Sequence, residues 1–187
     1  GTVSLLAGAT PGVHYPIAEY YVRRVRVAHD DPALKVLIEA GYYTEPAETD
    51  PKRTTVVSFP VCANNGKTGD GKMRCQTDVS VWEQLNLTAF MQRHWSDNAV
   101  SATVTFKDSE VKELAPALNF FQYGLKGVSF LKHIDPKNSP YKQLPYEPCS
   151  EKQYLKMCSL LSDKPLDFSG GTEEHPELFC DGEACSL

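Results

Sequence analysis

The sequence predicts an α/β fold that ends in a tail poor in apolar residues. Segments rich in β-branched and aromatic residues alternate with segments whose apolar residues recur at helical spacing. This alternation is typical of βαβ units and of a parallel or mixed sheet. The chain has 187 residues, 41% of them hydrophobic, which is enough for one core. From Asp163 onward we expect a flexible or docked tail, because few apolar residues are left to offset the entropy of ordering it.

The individual elements follow from local patterns. Tyr, Val and Arg alternate in the first strand, and Asp31 is placed to cap the next helix, with Pro32 in its first turn and Gly41 as its stop. Pro116 lies inside a later helical pattern and predicts a kink or a late start there. The predicted strands cover residues 20–28, 54–61, 99–106 and 128–131. The predicted helices cover residues 33–40, 78–95, about 109–123, and 150–161.

Composition excludes some classes of function. The net charge of −5 argues against a nucleic-acid-binding surface over the whole chain. The one basic cluster, Arg23, Arg24 and Arg26, could bind phosphate, but a solvated or carboxylate-paired strand edge is the commoner explanation. No apolar leader or stretch of membrane-spanning length is present, so we expect no membrane partner. Six cysteines are too few for a disulfide scaffold, and a reducing, cytoplasmic setting is the better expectation.

A pair of cysteines near the C-terminus, Cys180 and Cys185, is the most informative feature of the chain. The pair lies in the acidic segment 173–185, which contains a glycine and few apolar residues. Two accessible thiols on such a segment suit thiol–disulfide exchange. Two unrelated free thiols, a small structural loop, or half of a zinc site are the alternatives, and zinc would need two further ligands. We predict no metal site at this pair or at Cys62 and Cys75.

The opposite end of the chain has the composition of an anion site. Residues 1–4 are small or hydroxylic, and Leu5, Leu6 and Ala7 follow as the start of a predicted short helix. Backbone N–H groups and hydroxyls at a helix N-terminus can bind an anion. From this local pattern alone, an ordinary helix cap explains the same residues.

Several separated stretches resemble the C-terminal part of the adenosylcobalamin-dependent (class II) ribonucleotide reductases. They occur in the family's order and together span nearly the whole chain. The stretch 120–127, Phe-Phe-Gln-Tyr-Gly-Leu-Lys-Gly, is most similar to the monomeric branch that reduces ribonucleoside triphosphates. The family-like stretches are residues 1–8 with 10–14, 19–24, 96–101, 125–131 and 179–185.

The resemblance implies roles for both ends of the chain. Gly1, Thr2, Val3 and Ser4 would bind the substrate phosphates, and Cys180 with Cys185 would form the dithiol that reduces the active-site disulfide after each turnover. Residues 1–162 would then be the C-terminal portion of a ten-stranded α/β barrel, and residues 163–187 a flexible redox-active tail. The implied cofactor is adenosylcobalamin, bound mainly by the N-terminal part of the enzyme. The implied partners are that part or a complementary chain, a ribonucleotide, and a thioredoxin-type reductant.

The same resemblance implies that the chain is not active alone. The family's radical cysteine, its two reducing cysteines and its catalytic glutamate lie upstream of the phosphate loop, and we expect them on the N-terminal part. None of Cys62, Cys75, Cys149 and Cys158 matches a catalytic position. Two other functions stay open. A non-catalytic module that binds a partner chain or nucleotide should behave as a stable monomer. A free-standing thiol oxidoreductase is disfavoured, since no C-x-x-C begins a helix.

Overall fold

The structure is a computed structural model that describes residues 12–63, 73–133 and 142–168. It contains six strands, four α-helices and two 3₁₀ turns in these ranges. The strands are β1 (Tyr20–Ala28), β2 (Tyr43–Pro46), β3 (Thr54–Cys62), β4 (Thr103–Phe106), β5 (Ser129–Lys132) and β6 (Tyr146–Pro148). The helices are α1 (Pro32–Glu39), α2 (Val81–His94), α3 (Leu114–Phe121) and α4 (Glu151–Cys158), and the 3₁₀ turns are Gln76–Asp78 and Asp108–Glu113.

The strands form two sheets. The four-stranded sheet has the order β2-β3-β1-β6, in which β2 pairs antiparallel with β3 and β6 pairs antiparallel with β1. The second sheet is the parallel pair β4 and β5, with Thr103 opposite Ser129 and Phe106 opposite Lys132. The 3₁₀ turn 108–113 and α3 connect these two strands, so β4, α3 and β5 form a βαβ unit. The predicted mixed α/β architecture is confirmed.

Two compact units divide the chain. One comprises Gly1–Arg23 with Pro60–Leu155, and the other comprises Arg24–Phe59 with Lys156–Leu187. In the first unit, α2 and α3 pack on β4 around a core of Val81, Leu85, Val104, Ala117 and Phe121. Removing these side chains from water supplies the main driving force for forming the unit.

The second unit has a smaller core of Leu34, Leu37 and Val57. Helix α1 begins as predicted, because the Asp31 side chain accepts a hydrogen bond from Ala33 N at 2.8 Å. It ends in a Schellman motif, in which Tyr42 N donates to Leu37 O and Gly41 N donates to Ile38 O. Gly41 has φ = +89°, and an added Cβ would lie well inside 3.0 Å of the Leu160 carbonyl oxygen. Only glycine fits this position without strain.

The differences from the predicted elements have local causes. Strand β4 begins at Thr103 rather than 99, because residues 96–101 form a turn. The helical pattern around Pro116 starts late, as a 3₁₀ turn that becomes α-helical only at Leu114. Strands β2 and β6 were not predicted, since they are four and three residues long and each ends in proline. The predicted domain division at residues 162 and 163 stays a prediction.

Candidate functional site

The residues predicted at the two functional ends lie outside the described part of the chain. Gly1, Thr2, Val3 and Ser4 precede residue 12, and Cys180 and Cys185 follow residue 168. Their roles therefore stay predictions. The described structure begins at Gly12, eight residues beyond Ser4, and it shows how the segment that follows the predicted phosphate loop is held.

A close backbone contact holds the start of this segment. Val13 N donates a hydrogen bond to Ser101 O at 3.0 Å. Gly12 has φ = +75°, and a Cβ added to it would lie 2.6 Å from the same Ser101 oxygen. Both the left-handed backbone and the close approach require glycine at this position. The contact joins two of the family-like stretches, 10–14 and 96–101.

The Ser101 carbonyl belongs to a turn, residues 96–101, that one side chain organises. Gln92, near the end of α2, donates from Nε2 to Ser96 O at 2.7 Å and to Asn98 O at 3.0 Å. Its Oε1 accepts from Val100 N at 3.0 Å. The amide thus binds three backbone groups that make no strand or helix hydrogen bond within the described residues. Sequence reasoning missed Gln92, because a glutamine near a helix end usually faces solvent.

A third family-like stretch reaches the same turn. Lys126 Nζ donates to the carbonyl oxygen of Asp97, and Ser129 N donates to Ala102 O at 3.2 Å where β5 joins β4. The 96–101 turn is therefore contacted by residues from stretches 10–14 and 125–131. Within the turn, the Asn98 carbonyl accepts hydrogen bonds from both Gln92 Nε2 and Ser96 Oγ.

Further contacts hold the rest of the connecting segment, residues 12–19. Gln76 N donates to Pro16 O at 2.9 Å, and Ala63 N donates to Glu19 O at 2.8 Å. The 3₁₀ turn that contains Gln76 is itself tied to the carboxyl ends of the parallel strands. There, Lys107 Nζ donates to Thr77 O at 2.7 Å. The segment is thus bonded at three points along its length.

An ion pair lies against the middle of the connecting segment. Arg74 binds both carboxylate oxygens of Glu83, with NH2 at 2.8 Å from Oε2. The hydrogen bond from Arg74 lowers the pKa of Glu83 below its usual value. Tyr15 Oη donates to Glu83 Oε1 at 3.5 Å, and burial, with the adjacent carboxylate, raises the pKa of Tyr15. Tyr15 therefore stays protonated and remains a donor at neutral pH.

Among the described cysteines, Cys62, Cys75 and Cys158 carry free thiols. Cys75 is buried, and its pKa is raised by burial and then by Asp78 and Glu19. Such a thiol is a poor nucleophile at neutral pH, since the thiolate is the reactive form. Cys62, Cys149 and Cys158 are half-buried. Among the described residues, no group of three or more His, Cys, Asp or Glu side chains is placed to hold a metal ion.

An open cleft of about 530 Å³ lies beside the 96–101 turn, in the same unit. Its residues are Gln92, Arg93, Tyr123, Gly124, Leu125 and Lys126. Two cationic side chains and the exposed Tyr123 ring give it a basic, partly aromatic lining. No helix in the described ranges is long and apolar enough to cross a membrane.

Comparison with known proteins identifies the source of these features. The chain is 44% identical over its whole length to the probable adenosylcobalamin-dependent ribonucleoside-triphosphate reductase of Dictyostelium discoideum, and covers 24% of that protein. It is 46% identical over 99% of its length to the corresponding reductase of Euglena gracilis, covering 25%. The chain is homologous to a segment of adenosylcobalamin-dependent ribonucleotide reductases. The resemblance inferred from the motifs is confirmed, and these relatives are named triphosphate reductases.

A solved structure agrees with the sequence comparison. The crystal structure of a B-12 dependent (class II) ribonucleotide reductase superposes with a TM-score of 0.73 at 34% identity. The match covers 88% of this chain and 22% of that one. The chain thus spans about a quarter of the length of the reductases it matches. No family model matches the chain.

The described residues do not by themselves fit the cofactor in the relatives' names. A corrin ring with an adenosyl group and a nucleotide arm is far larger than the drug-sized ligands that fill pockets of roughly 300–1,000 Å³. Two clefts of the described residues, beside the 96–101 turn and beside α1, measure about 530 and 420 Å³ and are open to solvent. We therefore derive no chemical step through adenosylcobalamin on this part of the chain.

Proposed function

We propose that this chain supplies the substrate-phosphate loop and the C-terminal dithiol of an adenosylcobalamin-dependent ribonucleoside-triphosphate reductase. It would act with the N-terminal part of that enzyme, or with a complementary chain, and would be inactive alone. The observation that carries the proposal is the identity of 44–46% over at least 99% of the chain to about a quarter of two such reductases. Similarity of this extent leaves little room for an unrelated activity.

The proposed phosphate loop is Gly1, Thr2, Val3 and Ser4. Backbone N–H groups and two hydroxyls can surround a phosphate with hydrogen-bond donors, and no charged side chain is needed. In support, the segment that follows is bonded at Val13, Pro16 and Glu19, and it begins at the glycine-specific contact with Ser101. A loop that binds phosphate benefits from such a fixed attachment, since less entropy is lost when the ligand orders it.

The proposed dithiol is Cys180 and Cys185. Replacing the 2′-hydroxyl of a ribonucleotide by hydrogen releases water and takes two electrons and two protons from a pair of thiols, which become a disulfide. Cys180 and Cys185 would reduce that disulfide by exchange and become a disulfide themselves, and a thioredoxin-type protein would then reduce them. The free thiols of Cys62, Cys75 and Cys158 agree with the reducing setting that this cycle needs.

We further propose that the chain forms part of a larger α/β barrel. Parallel strands are normally covered on both faces and have further neighbours, and a two-stranded sheet is marginal by itself. In the described ranges β5 pairs only with β4, and Leu131 on β5 is 55% exposed. The open edge of β5 and the exposed Leu131 side chain support a sheet that another part of the enzyme completes. The ten-stranded barrel of the class II reductases is the architecture that this pairing fits.

A reconstitution assay tests the proposal. The chain is mixed with an N-terminal partner ending just before residue 1, together with adenosylcobalamin, a ribonucleoside triphosphate and a reducing system, and deoxyribonucleotide formation is measured. We expect turnover only when both chains are present. Cys180→Ser and Cys185→Ser should abolish turnover with thioredoxin and retain it with a small dithiol, which can reach the active-site disulfide directly.

The matched controls are Cys149→Ser and Cys158→Ser, which should leave turnover with either reductant unchanged. A well-folded mixture with no turnover would contradict the proposal and favour a non-catalytic module that binds a partner chain or nucleotide. Turnover with thioredoxin in both tail variants would contradict the role of the dithiol while leaving the rest intact.

A further inference from the structure

We infer that the open cleft beside the 96–101 turn binds a mononucleotide, whose phosphates contact Arg93 and Lys126 and whose base stacks on Tyr123. Residues 92–93 and 123–126, all in the first unit, line this cleft. The inference goes beyond the proposed function, since none of these residues belongs to the proposed phosphate loop or to the proposed dithiol.

The charge of the cleft lining favours an anion. The chain as a whole has 24 acidic and 19 basic residues, whereas the lining contains two cations and no carboxylate. Arg93 is exposed in the last turn of α2, and it makes no ion pair or hydrogen bond with any described residue. Its guanidinium can therefore bind a phosphate through two parallel hydrogen bonds without first breaking an internal contact.

Lys126 and the backbone around it add further donors. Lys126 Nζ donates to the carbonyl oxygen of Asp97, which is a neutral acceptor and leaves the positive charge of the lysine uncancelled. The exposed carboxylate of Asp97 makes no ion pair with Lys126. The backbone N–H groups of Leu125, Lys126 and Gly127 donate to no described residue. Successive backbone N–H groups of this kind form anion-binding sites in proteins.

The aromatic and apolar parts of the lining favour a ligand that also carries a planar ring. Tyr123 is 94% exposed, and its ring has no aromatic or cationic neighbour among the described residues. Leu125 is half-buried against the core of the unit and gives the cleft an apolar side. Exposed aromatic rings that stack on bases, with cations nearby for the phosphates, are how proteins bind nucleotides without sequence preference.

The size and support of the cleft fit such a ligand. Its volume of about 530 Å³ lies within the range of about 300–1,000 Å³ that small-molecule sites have. Gly124 N donates to Phe121 O at 2.8 Å, and a Cβ added at Gly124 would lie 3.4 Å from Ala89 Cβ, so the loop after α3 lies directly against α2. Because α2, this loop and the 96–101 turn are bonded to one another, little entropy is lost when a ligand binds between them.

A titration of the purified chain, followed by the NMR shifts of its backbone amides, tests the inference. The probes are ATP, inorganic triphosphate and adenosine, at an ionic strength of about 0.15 M to screen diffuse attraction. We expect ATP to shift the amides of Leu125, Lys126 and Gly127, to saturate below about 5 mM, and to bind more tightly than either of its parts. The amides of residues 1–4 report separately on the proposed phosphate loop.

Two substitutions at exposed positions separate the phosphate contact from the base contact. Arg93→Gln should weaken the binding of ATP and of inorganic triphosphate about fivefold. Tyr123→Ala should weaken ATP and adenosine at least about fivefold and leave inorganic triphosphate unchanged. Lys112→Gln is the matched control for Arg93→Gln, because it removes the same charge from an exposed site of the same unit outside the cleft lining. Tyr43→Ala, at a side chain that is 61% exposed in the other unit, is the control for Tyr123→Ala.

Each result decides the inference. No saturable shift at residues 125–127 overturns it, as does an equal loss of binding in Lys112→Gln, which would show diffuse attraction only. Shifts confined to residues 1–4 overturn it and leave the proposed function standing. Binding of ATP that Tyr123→Ala leaves unchanged overturns the nucleotide as the ligand. If adding the N-terminal part of the enzyme abolishes the ATP shifts at residues 125–127, the cleft is an interface with that part, which also overturns the inference.

Discussion

Gln84 provides the sharpest test of how the first unit is held together. In a parallel pair, alternate residues of β4 point their backbone groups toward β5, and the carbonyls of Ala102 and Phe106 accept bonds from that strand. Thr105 faces the opposite edge. There the Gln84 amide donates to Thr105 O at 2.8 Å and accepts from Thr105 N at 2.9 Å. A side chain from α2 thus takes the place of a neighbouring strand.

The variant Gln84→Leu keeps the side chain's approximate size and removes both partners of Thr105. Gln84 and Thr105 are 5% and 2% exposed, so water cannot replace the lost bonds. An unsatisfied buried backbone group costs about 1–3 kcal/mol, which gives about 2–6 kcal/mol for the two together. Domains have about 5–15 kcal/mol of total stability, so this loss is large.

Urea unfolding of the purified chain measures the effect, and hydrogen exchange at the Thr105 amide localises it. We expect a lower midpoint at unchanged m-value and a loss of protection at that amide. Gln122→Leu, at an exposed site, should change stability by less than about 0.5 kcal/mol. A change below about 0.5 kcal/mol in Gln84→Leu, with the Thr105 amide still protected, would refute the reasoning.

Three further predictions concern other parts of the chain. Gly41→Ala should lower the unfolding free energy by at least about 1–2 kcal/mol, measured in urea, because it forces a Cβ into a left-handed position against a backbone carbonyl. Arg74 lowers the pKa of Glu83, so their pairing stabilises the fold above the usual pKa of 4.5 and is lost as the pH falls through the lower folded-state pKa. The difference in Tm between wild type and Glu83→Gln should therefore shrink below pH 4.5 and in high salt; a constant difference would contradict the pairing. Alkylation at pH 8 should modify Cys75 more slowly than Cys158, with equal rates in denaturant, because Cys75 is buried and burial raises its pKa, whereas Cys158 is half-buried; equal rates in the native chain would count against this.

The sequence predicted the regular elements whose patterns are local. Strand β1 matches its predicted range, and α1 has the cap at Asp31 and the stop at Gly41 that its sequence indicates. The short strands β2 and β6 escaped prediction, because a three- or four-residue strand depends on its partner and carries little pattern of its own. The family resemblance was found from separated motifs, whereas the contacts between those motifs required the structure.

Helix α2 shows why the polar contacts around the site could not be predicted. Gln84, Thr88 and Gln92 occur every four residues and lie along one ridge of the helix, and the first two are buried. A pattern of apolar and polar residues assigns such side chains to solvent, since it contains no information about unpaired backbone groups opposite the helix.

These backbone groups belong to Thr105 on β4 and to the 96–101 turn. In the described part of the chain, neither has a strand partner on the side facing α2, and the glutamine side chains bind them instead. Burying them requires an amide, which can donate and accept at once. An apolar residue at 84 or 92 would improve the amphipathic pattern of α2 and weaken the backbone that it supports. Gln84 therefore holds the free edge of β4, and Gln92 holds the turn that leads into the same strand. The position of β4 in the first unit thus depends on two polar side chains of one helix.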